Sequence, residues 1–170
     1  HGLGGDHEDW REVAENLPAA WHIALMDFRG HGRSAAPEEG FGLDDIARDL
    51  LEWLLHLATG PVHLIGYGVG GMVALRATAL AASAAPDRSP DVAIHGLVLM
   101  ETFSSLSASA AFRPGRFQPQ LSADRRHAIT AKYRATRERF HVAYYDQFWA
   151  SVIQFDAQPL LNSTLLPVHA

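Results

Sequence analysis

The sequence predicts an α/β protein, with a mostly parallel sheet, flanking helices and a helical cap. Apolar runs rich in branched residues alternate with segments of helical period, the pattern of a sheet wrapped by helices. A glycine turn joins one such run directly to a helix, and helical spacing dominates the last third of the chain. The 170 residues suit one domain. We divide it into a core over 1–103, a cap over 104–164 and the start of another core strand over 165–170.

The first half of the chain predicts two helices and a strand between them. Asp9 to Leu17 has the apolar spacing of a helix, and Trp21 to Phe28 is a compact apolar strand. Leu43 to Leu57 places its apolar side chains on one stripe. Its first turn carries Asp44 and Asp45, where carboxylates interact favourably with the helix dipole.

The second half continues the alternation and then becomes helical. Val62 to Tyr67 and Ile94 to Met100 predict short apolar strands, separated by an alanine-rich helix over Val69 to Ala85. From Ser122 onward the period is helical, and Val142 to Phe155 carries a dense set of aromatic residues.

Composition excludes several function classes. A formal net charge of −5 provides no basic field for nucleic acid or an anionic membrane. The absence of cysteine excludes disulfides, zinc–thiolate sites, iron–sulfur clusters and a cysteine nucleophile. The ten histidines include no pair at His-x-x-x-His spacing, so we expect no metal and no cofactor. No apolar run approaches the roughly 20 residues of a membrane span, and we expect a soluble, cytoplasmic protein.

Both ends of the sequence look cut. The chain opens in a glycine-rich loop over 1–5, a kind of loop that normally follows a strand, and it stops in what looks like the beginning of an apolar strand. We therefore expect a fragment that is incomplete at both ends.

The glycine turn after the strand at Val62 supports two hypotheses. Gly66-x-Gly68-x-x-Gly71 matches the dinucleotide-binding fingerprint, which requires an acidic residue about 20 residues later. Glu101 does end the next strand, but it follows Gly71 by 30 residues. Alternatively, Gly66-x-Gly68-x-Gly70 is a nucleophile elbow, the strand-to-helix turn that normally presents a serine at its centre. The centre here is Gly68.

Two upstream motifs favour the elbow. His1-Gly2-Leu3-Gly4-Gly5 resembles the oxyanion loop of the α/β-hydrolase superfamily, with Trp10 where many members place a core tryptophan. Asp27-Phe28-Arg29-Gly30-His31-Gly32-Arg33-Ser34 is similar to the Asp-x-Arg-Gly-His-Gly-x-Ser turn of that family. Because order and spacing also match, we interpret the chain as a member with glycine at the nucleophile position.

The resemblance implies a pocket for a small apolar substrate whose ester, thioester or related acyl bond is hydrolysed. The backbone N–H groups of Leu3 and Val69 would form the oxyanion hole. His1, Gly2, Tyr67 and Trp149 would line the substrate site. The family's acid and base would follow the strand that begins near residue 165.

The glycine at position 68 removes the covalent step, since no acyl-enzyme can form there. Three explanations stay open: a serine deliberately replaced, a natural binding or scaffold protein of hydrolase fold, and an acid–base enzyme of lyase or cyclase type without a covalent intermediate. Glu101 is the candidate acid for the third, because residues at the carboxyl edge of a sheet lie near the pocket. Its structural alternative is a carboxylate that supports the cap.

The cap region has a basic segment. Residues 122–141 contain six Lys or Arg against two Asp or Glu, while the rest of the chain is strongly acidic. A solvated face is the simplest explanation. The more specific hypothesis is that this segment docks an acidic partner, such as a carrier protein bearing an acyl group.

Overall fold

The computed structural model describes residues 1–57, 60–83, 92–105, 121–140, 142–163 and 168–169. Its elements are a 3₁₀ helix His7–Trp10, α1 Arg11–Glu15, α2 Leu43–Leu57, β1 Val62–Tyr67, α3 Val69–Ser83, β2 Ile94–Met100, α4 Ala123–Glu138, α5 Val142–Gln154, α6 Gln158–Ser163 and β3 Val168–His169. The α/β class predicted from the alternation is confirmed. No helix of the described residues is both long and apolar enough to cross a membrane.

The sheet is parallel, in the order β1-β2-β3. Leu64 of β1 lies opposite Leu97 of β2, and both side chains are buried in the core. Successive strand residues point to opposite faces. The other face of β1 therefore carries the exposed Ile65 and Tyr67.

Helices α2 and α3 pack against each other, and α3 lies on the buried face of the sheet. The small residues of α3 allow this close approach, and its Met72 and Leu75 are almost completely buried. A two-pronged ion pair joins the helices, because Arg76 donates to the carboxylate of Asp44 at 2.5 and 2.8 Å. The packing of α2 and α3 and this ion pair thus fix the position of the helix that follows the glycine turn.

Helix α5 supports the start of α2. The Leu43 N–H donates to the Ser151 hydroxyl of α5 at 3.0 Å, which satisfies one of the unpaired donors of the helix end. Tyr144 and Phe148 of the same helix are fully buried and join the core beneath Phe41. The aromatic residues that the sequence assigned to the cap therefore also complete the core.

Most predicted elements form as expected, but two do not. The predicted strand over Trp21 to Phe28 has no regular secondary structure and pairs with no strand of the described chain. Its last N–H, that of Phe28, donates to the His1 ring instead of to a sheet neighbour. The helix expected over Asp9 to Leu17 is divided between the 3₁₀ turn and the short α1, neither of which buries a residue.

The proposed boundaries at 103/104 and 164/165 stay predictions. Residues 106–120, which contain most of the polar stretch at the start of the cap, lie outside the described residues, as do residues 164–167. Within the described part, β3 pairs in parallel with β2, with Val168 opposite Leu97.

Candidate active site

The glycine turn is a sharp elbow between β1 and α3. Gly68 has φ +55°, the left-handed region that glycine adopts without a side-chain penalty. Its N–H donates to the Met100 carbonyl of β2 at 2.8 Å, and its carbonyl accepts the Gly71 N–H at 3.1 Å. The turn is thereby fixed on both sides, and α3 begins at the next residue.

Open space lies above Gly68, whereas Gly66 is enclosed. An ideal Cβ on Gly68 would meet no atom within 4 Å. The same atom on Gly66 would lie 2.5 Å from the backbone of Gly70 and Gly71. Gly66 therefore allows the helix to approach the strand, and position 68 could carry a side chain that projects into free space.

The glycine loop over 1–5 lies against this elbow. A Cβ on Gly70 would come within 2.7 Å of the His1 carbonyl oxygen, and one on Gly2 within 3.1 Å of the Tyr67 ring. The loop closes on itself through the Gly5 N–H, which donates to the Gly2 carbonyl at 3.1 Å. The structure thus brings together the two motifs that the sequence singled out.

The backbone N–H groups of Leu3 and Val69 are the predicted oxyanion donors. Within the described residues, neither the Leu3 N–H nor the Val69 N–H has a hydrogen-bond acceptor. Val69 opens a helix, where the first N–H groups point out of the helix and the dipole favours negative charge. Within the described residues, the glycine loop and the start of α3 thus each present one unpaired backbone donor.

Two buried histidines hold the glycine loop that carries Leu3 against the turn at Phe28 and Arg29. The His1 Nε2 accepts the Phe28 N–H at 3.1 Å, so the proton resides on Nδ1, which donates to the Gly2 carbonyl at 2.8 Å. His31 does the same between loops: Nε2 accepts the Gly4 N–H at 3.2 Å, and Nδ1 donates to the Arg29 carbonyl at 3.1 Å. With both ring nitrogens occupied by backbone, each histidine orients its loop.

Burial lowers the pKa of His31 to about 4. Its ring is 1% exposed and contacts the rings of His1 and Phe140. The imidazole is therefore neutral at neutral pH, which the hydrogen bond from Gly4 requires.

Tyr67 and Glu101 form a pair beside Gly68. The Tyr67 hydroxyl donates to Glu101 Oε2 at 2.8 Å, across the ends of β1 and β2. Burial, together with the Glu101 hydrogen bond, raises the pKa of Tyr67 to about 12, so the phenol keeps its proton. Glu101 itself has φ +48°, a left-handed backbone that costs a non-glycine residue about 1 kcal/mol or more. Strain of this kind persists where the surroundings over-determine it, commonly at functional sites.

Trp149 lies in the aromatic cluster of α5, where its ring meets Phe148 edge-on at 5.6 Å between centroids. Like Leu3 and Val69, it is partly buried and packs against the hydrophobic core. Among the described residues, no three His, Asp or Glu side chains come together as a metal site would require.

A cavity of about 440 Å³ opens between α2 and residues 25–29. Asp49, Glu52, Trp53 and His56 line its helical side. None of the residues that line this cavity is among the predicted site residues. The cavity therefore has no part in the chemistry predicted from the motifs.

Sequence analysis missed the side chains that pack on the glycine loop from the cap. Lys132 and Thr136 of α4 both bond to residues 4–9 across more than 120 positions of sequence. It also missed His7, whose ring Nδ1 lies 2.9 Å from the Asp27 carboxylate. The only sequence signal for Lys132 and Thr136 was the basic character of residues 122–141. That signal did not predict that Lys132 would bond within the chain.

The comparisons with known proteins give a family. The model of a family described as alpha/beta hydrolase fold matches residues 1–160. A putative carbamate hydrolase of Variovorax paradoxus is 39% identical over 77 residues, which are 44% of this chain and 29% of that protein. A 2-succinyl-6-hydroxy-2,4-cyclohexadiene-1-carboxylate synthase of Escherichia coli is 38% identical over 78 residues, 46% of this chain and 30% of that one.

Solved structures agree on the fold. An N-acyl homoserine lactonase complexed with N-butanoyl homoserine superposes with a TM-score of 0.72 and 14% identity, covering 99% of this chain and 66% of the lactonase. The matches to these curated relatives span less than a third of each relative's length.

Proposed function

The chain belongs to the alpha/beta hydrolase fold family, and on that basis we propose that its elbow borders a pocket for a small apolar acyl compound. In its ancestry the pocket hydrolysed an ester, thioester or related acyl bond through a nucleophile at position 68. With Gly68 in that place, the chain binds the acyl group and stabilises an oxyanion without forming a covalent intermediate.

The observation that supports this proposal is the open space over Gly68 next to two unpaired N–H groups. We infer that a carbonyl carbon bound in the free space over Gly68 would direct its oxygen toward the N–H groups of Leu3 and Val69. The charge that develops on this oxygen in a tetrahedral intermediate is the charge that backbone donors stabilise. The hydrolase names of relatives, including a carbamate hydrolase, agree with acyl-bond chemistry.

Replacing Gly68 with serine in the complete protein tests the proposal. We expect Gly68→Ser to release a burst of p-nitrophenolate from p-nitrophenyl butyrate, about one equivalent per protein, because the hydroxyl enters free space beside the oxyanion donors. The left-handed backbone costs a serine about 1 kcal/mol, which a folded domain tolerates. Stopped-flow absorbance measures the burst.

Gly68→Ala is the matched control, since it adds the same Cβ and the same backbone strain without a hydroxyl. It should give no burst. If Gly68→Ser folds as well as Gly68→Ala, by circular dichroism, and still shows no burst with short activated esters, the proposed hydrolytic ancestry is wrong.

A second candidate function rests on the Tyr67–Glu101 pair. A carboxylate and a protonated phenol beside the oxyanion donors could serve as base and acid without a covalent intermediate. The strained backbone of Glu101 favours this function, and one relative is named as a synthase instead of a hydrolase.

This second candidate predicts slow turnover by the unsubstituted protein. We expect p-nitrophenyl acetate hydrolysis without a burst, reduced about 100-fold in Glu101→Gln because the base is lost. Gln keeps the size and an acceptor for Tyr67, so the variant changes the charge alone. An equal steady-state rate in the two proteins would exclude Glu101 as a base.

A further inference from the structure

Helix α4 contacts the glycine loop and the residues that follow it through three side chains, those of Lys132, Tyr133 and Thr136. The Lys132 ammonium bridges the carboxylates of Asp6 and Asp9, at 2.6 and 2.7 Å. The Tyr133 ring lies directly on the α carbon of Gly4, leaving no room for a Cβ there. The buried Thr136 hydroxyl donates to the Gly4 carbonyl at 3.3 Å.

The carboxylates that Lys132 bridges are themselves bonded to the backbone after the loop. Asp6 Oδ1 accepts the Glu8 N–H at 2.9 Å, and Asp9 Oδ2 accepts the Asp6 N–H at 3.1 Å. Lys132 therefore fixes main chain as well as side chains. An ion pair this exposed contributes little to the free energy of unfolding. Its main effect is therefore to fix the position of the backbone at Asp6 and Asp9.

Several backbone groups on either side of Leu3 already have hydrogen-bond partners. The Gly2 carbonyl accepts from Gly5, the Gly4 N–H donates to His31, and the Gly4 carbonyl accepts from Thr136. Within the described residues, the Leu3 N–H is left as an unpaired donor in the middle of this bonded set.

We propose that α4 acts as a clamp that sets the position of the Leu3 N–H, with Lys132 as its main positioning residue. The inference rests on the proposed function, because it concerns the direction in which the N–H of a proposed oxyanion donor points. Lys132 does not touch the substrate. It acts through Asp6 and Asp9, and releasing it lets the loop move by fractions of an ångström, which is enough to weaken an aligned charge-assisted hydrogen bond.

The test compares two tetrahedral probes of similar size. Monomethyl butylphosphonate carries a negative charge like that of the intermediate, and butyl methyl sulfone is neutral. Isothermal titration calorimetry gives the affinity of the complete protein for each. We expect the unsubstituted protein to prefer the phosphonate, and Lys132→Met to reduce this preference about tenfold, as the loss of one charge-assisted hydrogen bond would. Lys132→Arg should restore most of it.

The variant Asp9→Asn distinguishes the clamp from a long-range electrostatic effect of Lys132 on phosphonate binding. Removing a negative charge should strengthen phosphonate binding if only the long-range field matters. If the clamp sets the donor, Asp9→Asn weakens phosphonate binding, because the bridge to Lys132 loses its charge. Arg134→Met, on an exposed part of the same helix, removes one positive charge away from the loop and should leave the preference unchanged.

Each outcome bears on a different proposal. If the unsubstituted protein shows no preference for the phosphonate, the oxyanion site is wrong, and the clamp is wrong with it. If the preference exists but Asp9→Asn binds the phosphonate equally or more tightly, the clamp alone is overturned. A weaker phosphonate affinity in both Lys132→Met and Asp9→Asn, with unchanged sulfone affinity, supports it.

Discussion

Replacing Gly66 with alanine is expected to lower the free energy of unfolding by about 3 kcal/mol or more, because the new methyl group would overlap main chain that cannot move away. Its ideal Cβ lies 2.5 Å from the carbonyl group of Gly70 and from the nitrogen of Gly71. Relieving the overlap requires α3 to separate from β1, which would also disturb the Gly68 turn. Urea denaturation measured by circular dichroism gives the change.

Gly68→Ala is the matched control for this substitution. It places the same methyl group two residues away in open space, so only the left-handed backbone opposes it, at about 1 kcal/mol. A Gly66→Ala protein as stable as Gly68→Ala would mean that the strand and helix do not approach as closely as described.

The elements that could be predicted are those with a strong local pattern. The stripe of α2 begins and ends at Leu43 and Leu57 as expected, and β1 and β2 coincide with their apolar runs. Each of these patterns reflects burial on one face, which a linear sequence records directly. The glycine spacing likewise predicted the elbow, since a strand that turns at once into a helix needs small residues at fixed positions.

The elements that could not be predicted depend on distant neighbours. Residues 21–28 have the composition of a strand, but a strand also requires a hydrogen-bonded partner, and the described chain offers none. The region of α1 has helical spacing, yet its Val13 is exposed, because spacing alone does not supply a surface to pack against.

Some features of the candidate site are likewise predictable from local sequence, and others depend on distant residues. The free N–H groups of Leu3 and Val69 follow from the local shape of a glycine loop and a helix start, which a motif specifies. The bridge from Lys132 to Asp6 joins residues 126 positions apart, and no local pattern records such a contact. Six basic residues in one segment suggested a docking face, whereas Lys132 and Arg139 of that segment bond to loops of the core.

Acidification is expected to destabilise the protein through His31. Burial lowers the pKa of His31 to about 4 in the folded state, from an ordinary value near 6.5. Between these two pH values the unfolded chain binds a proton that the folded protein does not, so stability falls as the pH decreases from 6.5 to 4 and is unaffected by this group above 6.5. The shift corresponds to about 3 kcal/mol. A charged ring would also lose the acceptor that holds the Gly4 N–H.

The prediction is checked by the pH dependence of urea unfolding in the protein and in His31→Gln. The variant should lose most of the slope between pH 6.5 and pH 4, while removal of the exposed His63 by His63→Gln provides the matched comparison. NMR titration of the His31 ring in the unsubstituted protein gives a second measurement that does not depend on the variant folding. A midpoint near 6.5 would contradict the burial of this ring, and with it the bond through which the Arg29–Ser34 turn holds the glycine loop over the elbow.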